Sequence, residues 1–501
     1  MNSTDQWFKK RETRWVLAVM SVLLVYVIVS LSPGPGPANE RPTASFDAVR
    51  GARSPGKAPA PGIRAALGLE AVSGTAGMPT GRGIVGAHVE GNLGDYAPAV
   101  NAGQFAGVHM ILRSGPSIVS GHAQGSARII YGPNGLAPGV RRVNVYSSFH
   151  WLRAGYLRTG QPEPPRLDNS RFMSHSWAGR GRNDWTIDAL RRIDWVIDAH
   201  DVIVIAGVLN ERDAPVPPLL ASAHNVISVG NWVGQSSGGY TLVEVPGRCK
   251  PDLVGPLGKT SSATPVVAAI VARLLEAADR SAEPRASRAE VIKAVLLAGA
   301  EKTEEWFQEL GRPLDSHLGA GRVRFDSSLR ILGSGPLDPG PVPRHTRGWD
   351  FQQIARGQGR SYLLHLDETA DEISIVLTWH RRIDGRTLED LVTQVPRWVN
   401  IPTTADLDLQ LVRVVEDTSG SQVPLARSTS SIDNVEHVFL RDVPPGRYRL
   451  DVSRSDRGRQ PWEYAVAWRI RADPPGPAQG ARLATSRSPR RLAAGDDLSD
   501  N

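Results

Sequence analysis

The stretch KPDLVGPLGKTSSATPVVAAIVARLLEAA, residues 250–278, decides the fold. From Ser262 onward it predicts a buried helix, because apolar residues recur at three- and four-residue spacing among alanines. Pro265 fits the first turn of that helix, where backbone amides have no intrahelical partner. A serine hydroxyl, from Ser261 or Ser262, therefore lies at a helix N-terminus, where the dipole favours negative charge. The position suits either an N-cap or a nucleophile.

Two adjoining segments of this stretch resemble motifs of the subtilisin-like serine peptidases. Thr260-Ser261-Ser262-Ala263-Thr264-Pro265 resembles the family's nucleophile motif, and residues 250–256 resemble the segment before it. The resemblance covers about residues 81–330 and implies that Ser261 is the nucleophile. Lys259 stands where the family usually has glycine. A long cation there is expected to narrow the substrate cleft or to select acidic substrates.

A histidine motif lies upstream of the serine. Gly121-His122-Ala123-Gln124 and the small and apolar residues after it resemble the family segment in which a histidine opens a helix under the site. Residues 135–140 resemble the loop and strand that follow. The resemblance implies that His122 is the general base. Ala123 and Gln124 depart from the pattern, since glycine and threonine are common there, and without the resemblance His122 reads as a surface or loop histidine.

The acid of the triad is expected at the end of the first strand, which the pattern places at residues 83–90. Glu90 stands where the family usually has aspartate, and the related sedolisin group uses glutamate. A longer carboxylate still accepts the histidine N–H and holds its tautomer. Asp95 is the alternative acid, and an ordinary solvated role for Glu90 stays open.

Two further parts of the site follow from the resemblance. Residues 202–211 resemble the buried strand that ends in the oxyanion asparagine, which implies that Asn210 donates to the oxyanion beside the Ser261 amide. Two residues separate Gly207 from Asn210, where the family often has none, and a turn-forming Asn210 is the alternative. The edge segment that pairs with substrate is expected at Ser176, Trp177, Ala178 and Gly179, although Trp177 fits a core position equally well.

Strand-like and helical patterns alternate between residues 81 and 332, which predicts a subtilisin-like, doubly wound, mainly parallel α/β sheet in a peptidase domain spanning 76–332. The strand candidates are residues 83–90, 140–146, 172–177, 202–208 and 226–230. Short alternating strands then predict an antiparallel β-sandwich at 345–472. It resembles accessory domains of secreted bacterial proteases. Residues 473–501 are polar and read as a disordered tail.

The N-terminus carries a targeting signal. Residues 1–14 contain four basic residues directly before the uncharged, mostly apolar run 15–31, which is about 26 Å long as a helix. This predicts a signal anchor in a bacterial cell membrane, with the N-terminus in the cytoplasm and the bulk of the chain outside. Gly36-Pro37-Ala38 is a loose cleavage site, so a cleaved signal peptide is the alternative. Residues 32–75 read as a Pro/Gly/Ala-rich linker.

Composition narrows the partners. The formal net charge is +7, but arginine is interleaved with acidic residues, so no basic block predicts nucleic-acid binding. We find no cofactor motif and predict no metal site, because Asp406 and Asp408 alternate on a strand as a polar face. The sequence leaves the oligomeric state open.

The function predicted from these features is a membrane-anchored, extracytoplasmic serine endopeptidase that cleaves protein or peptide substrates with a Ser-His-Glu triad. The departures at Glu90, Ala123, Gln124 and Lys259 keep a second hypothesis open, a catalytically inactive subtilase scaffold that binds peptides or cell-surface polymers. A third hypothesis makes the β-sandwich the working part and the peptidase domain vestigial.

Overall fold

The structure is a computed structural model that describes residues 61–74, 77–344, 346–389, 396–414 and 422–471. The predicted cytoplasmic segment, the signal anchor, the first part of the linker and the C-terminal tail lie outside the described residues. The described residues belong to one compact unit.

The domain that the sequence predicts to be a peptidase, called the peptidase domain below, is built on a seven-stranded parallel sheet. Its strands are β1 (Val85–Glu90), β2 (His109–Leu112), β3 (Arg142–Ser147), β4 (Phe172–His175), β5 (Ile203–Gly207), β6 (Ile227–Asn231) and β9 (Leu253–Gly255); β7 (Gly239–Tyr240) and β8 (Cys249–Lys250) form a small hairpin. The spatial order is β2-β3-β1-β4-β5-β6-β9. After β1 the chain forms β2 and β3 on one side of it, and then crosses to the other side to form β4, β5, β6 and β9. Ligands bind beyond the carboxyl ends of the strands at such a reversal, which is where Glu90 ends β1.

The strands predicted from apolar runs are present, with ends shifted by a few residues. Their continuous apolar character follows from burial, since β1 and β5 are buried along their whole length on both faces of the sheet. The predicted doubly wound, mainly parallel α/β fold is thereby confirmed. The edge strands β2 and β9 were not among the predicted strands.

Seven α-helices accompany the strands in the described part of the chain. They are α1 (Pro61–Ala66), α2 (Gly121–Ile130), α3 (Ser148–His150), α4 (Asn183–His200), α5 (Thr260–Arg280), α6 (Ala289–Gly299) and α7 (Phe325–Leu332). By length and composition α5 is apolar enough to cross a membrane, but 83% of its most apolar window is buried inside the protein. It is the central helix of the domain and packs against α2.

One detail of α5 differs from the prediction. The helix begins at Thr260, so Pro265 lies in its second turn and not in its first. The helix starts early because the Asn210 side chain accepts the Thr260 amide hydrogen, which a local pattern does not reveal.

The C-terminal region is a two-layered β-sandwich, as predicted. Its strands are β10 (Gly340–Arg344), β11 (Arg347–Ile354), β12 (Gly359–Leu366), β13 (Ala370–Thr378), β14 (Arg382–Glu389), β15 (Pro396–Thr403), β16 (Leu407–Val414), β17 (Gln422–Ser428), β18 (Val435–Val443), β19 (Gly446–Arg454) and β20 (Trp462–Arg471). The two sheets have the orders β10-β12-β19-β16-β17 and β11-β20-β13-β18, while β14 and β15 form a separate hairpin. Apart from the parallel β10–β12 pair, these strands run antiparallel.

The sandwich shares a core with the peptidase domain. Every residue of α6 is buried, and this helix packs on β13 and β20. Side chains from the sandwich join the peptidase core at Trp349, Val376, Val435, Ala465 and Ala467. The Thr378 hydroxyl also donates to the Glu290 carbonyl oxygen at 2.9 Å. The interface is therefore a continuation of the hydrophobic core.

A buried ion cluster crosses the same interface. Arg381, on the sandwich side, has a side chain only 2% exposed and lies 2.5 Å from Asp194 and 2.6 Å from Glu244. Asn225 binds the Arg381 backbone twice, donating to its carbonyl oxygen and accepting from its amide, both at 2.8 Å. A buried guanidinium requires such pairing. Its removal from water costs several kcal/mol, and only the attraction to buried carboxylates offsets that cost.

Candidate active site

Glu90 is delivered to the site by the end of β1. Its side chain is 2% exposed, and its Oε2 lies 2.7 Å from Nδ1 of His122. The other carboxylate oxygen, Oε1, accepts from the Ser126 hydroxyl at 2.5 Å and lies 3.4 Å from Nε2 of His88. Both oxygens are thus held, and the carboxylate is fixed in direction before any substrate arrives.

His122 is the second residue of α2. The helix is capped by Ser120, whose hydroxyl accepts from the Ala123 amide, so the backbone that carries the imidazole is anchored. The His122 side chain is 41% exposed, although its Nδ1 faces the buried Glu90. With Nδ1 turned to the carboxylate, Nε2 is the nitrogen available for proton transfer.

Glu90 and His122 shift each other's pKa. The Glu90 carboxylate raises the pKa of His122, by charge and by hydrogen bond, while burial and the charge of Lys259 oppose the rise. Burial alone would raise the pKa of Glu90, but the charge and hydrogen bond of His122, with smaller contributions from His88 and Ser126, bring it below its ordinary value. The pair therefore favours an ionised Glu90 and a proton on His122.

Asn210 and the start of α5 form the second half of the site. The Asn210 Oδ1 accepts from the Thr260 amide at 2.8 Å and from the Thr260 hydroxyl at 3.2 Å. That hydroxyl also donates to the Val208 carbonyl oxygen at 2.7 Å. Because Oδ1 is bound to α5, the amide nitrogen of Asn210 is left as a donor on an exposed side chain. The two residues between Gly207 and Asn210 thus bring Asn210 to the helix start.

Gly207 allows this close approach. A Cβ at Gly207 would lie 2.9 Å from the Thr264 hydroxyl oxygen and 3.6 Å from Thr260, so a side chain there would push the first turns of α5 away from β5. The glycine is required by packing and not by an unusual backbone angle.

Ser261 is the second residue of α5. Neither its amide nor its hydroxyl hydrogen-bonds to any residue that the structure describes, which leaves both open at a helix N-terminus. The structure does not join Ser261 and His122 by a hydrogen bond. The charge of Lys259, the residue before α5, lowers the pKa of His122. Nucleophile–base hydrogen bonds of unliganded sites are often long and shorten in the substrate complex.

The predicted substrate edge is only partly free. Gly179 pairs with Leu219 through two backbone hydrogen bonds, of 3.2 and 2.9 Å, so its backbone is already used inside the protein. Trp177 packs against the hydrophobic core. Ser176 is buried, and its hydroxyl has no hydrogen-bond partner among the described residues. The Gly179 backbone is therefore not available for pairing with another strand.

Two buried histidines near Glu90 escaped the sequence analysis. His88 lies inside β1, and His175 ends β4; both are fully buried. Burial lowers the pKa of His88 and brings that of His175 to about 3, so both are neutral at physiological pH. The sequence does not reveal them, because both histidines lie in apolar strands. His175 comes close to the Glu90 carboxylate only through the pairing of β1 with β4, which sets Val89 opposite His175.

The described residues around Glu90 and His122 offer no converging set of three metal-ligating side chains. One such set occurs elsewhere, at Asp198, Glu290 and His380.

No protein-family model and no curated protein matches the chain. Among solved structures, the chain is similar to the patellamide maturation protease PatA, with 19% identity, coverage of 51% of this chain and 98% of that chain, and a TM-score of 0.33. It is also similar to fervidolysin from Fervidobacterium pennivorans, a keratinolytic enzyme related to subtilisin, with 15% identity, coverage of 75% and 69%, and a TM-score of 0.33. A third similar structure is the epidermin leader peptide processing serine protease EpiP from Staphylococcus aureus, with 14% identity, coverage of 52% and 78%, and a TM-score of 0.34.

Proposed function

We propose that this protein is a serine endopeptidase of the subtilisin-like type with a Ser261-His122-Glu90 triad. One observation carries the proposal: the buried Glu90 carboxylate holds Nδ1 of His122 at 2.7 Å. That contact fixes the imidazole in the tautomer whose Nε2 accepts a proton. The free hydroxyl and amide of Ser261 at the start of α5 supply the other half of the chemistry.

In the proposed reaction, the Ser261 oxygen attacks the carbonyl carbon of the peptide while its proton passes to Nε2 of His122. The carbonyl oxygen becomes an oxyanion that accepts hydrogen bonds from the Ser261 amide and the Asn210 side-chain nitrogen. The C–N bond then breaks, and the amine leaves with the proton from His122. Water attacks the acyl-enzyme by the same route in reverse, with His122 again as base, and releases the acid and Ser261.

Lys259 gives the proposed cleft a cationic edge. It precedes α5 immediately and is exposed, and its charge reaches His122. Substrates with acidic residues close to the cleaved bond are therefore favoured over basic ones.

The proposed location is the outer side of a bacterial cell membrane. The support is the sequence of residues 1–31, in which four basic residues precede a 17-residue apolar run. Protease added to intact cells should then degrade the folded domains and spare residues 1–14. A soluble mature chain that begins near Asn39 would show a cleaved signal.

A fluorophosphonate serine probe tests the enzymatic function directly. The purified chain should be labelled at one serine, mapped to Ser261 by mass spectrometry, because only a serine beside a base reacts readily. Ser261→Ala should abolish labelling, while the neighbouring Ser262→Ala should keep it. Labelling that persists in Ser261→Ala would contradict the nucleophile assignment.

The rival function is an inactive scaffold that binds peptides in the cleft. Two observations favour it: Lys259 stands at the mouth of the site, and Ser261 makes no hydrogen bond to His122 in the described structure. A folded chain that is not labelled by the probe, but that binds peptides with an affinity reduced by cleft mutations, would support the scaffold and exclude the enzyme.

A further inference from the structure

Three side chains converge where the sandwich meets the peptidase domain. Asp198 comes from α4, Glu290 from the first turn of α6, and His380 from the segment after β13. The His380 Nδ1 lies 3.2 Å from the Glu290 Oε1 and 3.4 Å from the Asp198 Oδ1. The three ligand atoms all lie within 4.8 Å of one another. Since α4 ends just before β5 begins, the three side chains lie near the amino ends of the parallel strands. Glu90 lies at the opposite end, where β1 finishes.

Hydrogen bonding among the described residues does not satisfy the Glu290 carboxylate. Glu290 and His380 have side chains 1% and 4% exposed. The His380 Nδ1 faces the carboxylates of Asp198 and Glu290, but the Glu290 Oε2 has no hydrogen-bond partner among the described residues. Native structures rarely leave buried polar atoms in this state, because each unsatisfied group costs about 1–3 kcal/mol.

The surrounding charges leave a deficit of positive charge. Arg288 lies 2.8 Å from Asp201, 3.5 Å from the Glu290 Oε1 and 3.7 Å from Glu463, so it serves three carboxylates at once. Among the described residues, the ion pairs around the cluster join the carboxylates of Asp198, Asp201, Glu290 and Glu463 with the guanidinium groups of Arg288 and Arg382. Four carboxylates against two guanidinium groups leave two negative charges. A divalent cation neutralises both, whereas a protonated His380 neutralises one.

We propose that Asp198, Glu290 and His380 bind a zinc ion. Zinc takes imidazole nitrogen and carboxylate oxygen ligands at about 2.1 Å in a tetrahedron, whose ligand atoms are then about 3.4 Å apart. The separations of 3.2 and 3.4 Å from the His380 Nδ1 match that edge. Three protein ligands leave the fourth position to water. Calcium is disfavoured, because it takes six to eight oxygen ligands and the set contains an imidazole nitrogen.

The zinc ion ties the sandwich to two helices of the peptidase domain. Such an ion binds the docked arrangement and not the unfolded chain, so it stabilises the fold by mass action. This stabilising role of zinc is independent of the proposed peptidase chemistry, since the ligands lie at the amino ends of the strands and Glu90 lies at a carboxyl end.

Zinc binding to the purified full chain tests the proposal. After removal of any polyhistidine tag and of metal by chelation, isothermal titration should show one zinc ion per chain, and zinc should raise the melting temperature. His380→Gln should weaken binding at least about 10- to 100-fold, the loss that even outer-shell partners cause. The matched control is His365→Gln, since His365 is a half-exposed histidine on the sandwich surface paired with Asp367. It should bind zinc like the parent.

A second variant guards against misfolding of the first. Asp198 has a side chain 20% exposed, and Asp198→Asn keeps its shape. Circular dichroism should show a folded protein, and titration should show weakened zinc binding. Cobalt(II) should bind competitively and give the visible absorption of a tetrahedral site. Absence of zinc binding to the parent chain, or equal binding by parent, His380→Gln and Asp198→Asn, would overturn the proposal and leave an ion network only.

Discussion

The Asn210 side-chain oxygen accepts the amide hydrogen of Thr260 at 2.8 Å, which ties the end of β5 to the first turn of α5. One side chain thus caps the helix with its oxygen and leaves its nitrogen for the proposed oxyanion contact. The two roles use different atoms, so they are separable by mutation.

Asn210→Asp should separate them. Aspartate still accepts from the Thr260 amide, but it has no N–H for an oxyanion. We expect kcat to fall about 10²- to 10³-fold with little change in melting temperature. Steady-state kinetics and thermal unfolding of the same preparation check this. Asn210→Ala, which also removes the cap, should lose stability as well as activity. Unchanged kcat in Asn210→Asp would exclude Asn210 from the oxyanion site.

Glu90→Gln tests the triad acid against the alternative, Asp95. An amide at position 90 keeps the shape but not the carboxylate that holds His122, and we expect turnover to fall about 10⁴-fold. Asp95→Asn is the matched control, because a long 3.4 Å hydrogen bond from Asn92 is the only one that Asp95 accepts from the described residues. It should change activity little. The reverse pattern in peptide hydrolysis assays would reassign the acid to Asp95.

The pH dependence of the two variants should shift in opposite directions. His122 acts as a base only when neutral, so kcat/KM falls as pH decreases through its pKa. Since Glu90 raises that pKa and Lys259 lowers it, Glu90→Gln should move the acidic limb of the residual activity to lower pH, and Lys259→Ala should move it to higher pH. Profiles of kcat/KM against pH measure both. Two shifts of the same sign would mean that His122 is not the titrating base.

Arg381→Met should destabilise the whole protein. It leaves Asp194 and Glu244 buried without their shared guanidinium, and we expect the free energy of unfolding to fall by about 3–5 kcal/mol. The neighbouring Arg382 is partly exposed and reaches Glu463 at 3.4 Å, so Arg382→Met should cost less than about 1 kcal/mol. Denaturant unfolding measures both. Equal effects would argue that the buried cluster does not hold the interface.

The sandwich and the peptidase domain read as two units in sequence but share a core in the structure. The sequence of α6 carries apolar residues at helical spacing. The pattern does not indicate that all of α6 is buried, because a helix apolar on several faces gives no sign of what covers each face. The sandwich covers one side of α6, so the peptidase domain without the sandwich would expose that apolar surface of the helix.

The sequence by itself determined the parallel fold, the sandwich and the residues that we assign to the proposed site. These features can be predicted from short stretches of sequence. A run of apolar residues indicates a buried strand or helix, and the motif around Ser261 indicates the start of a helix. The tertiary structure alone decided the early start of α5, the pairing of Gly179 with Leu219, the histidines beside Glu90, and the meeting of Asp198, Glu290 and His380. These features join residues far apart in the chain, and their contacts arise only when packing of the two cores brings separate elements to one place.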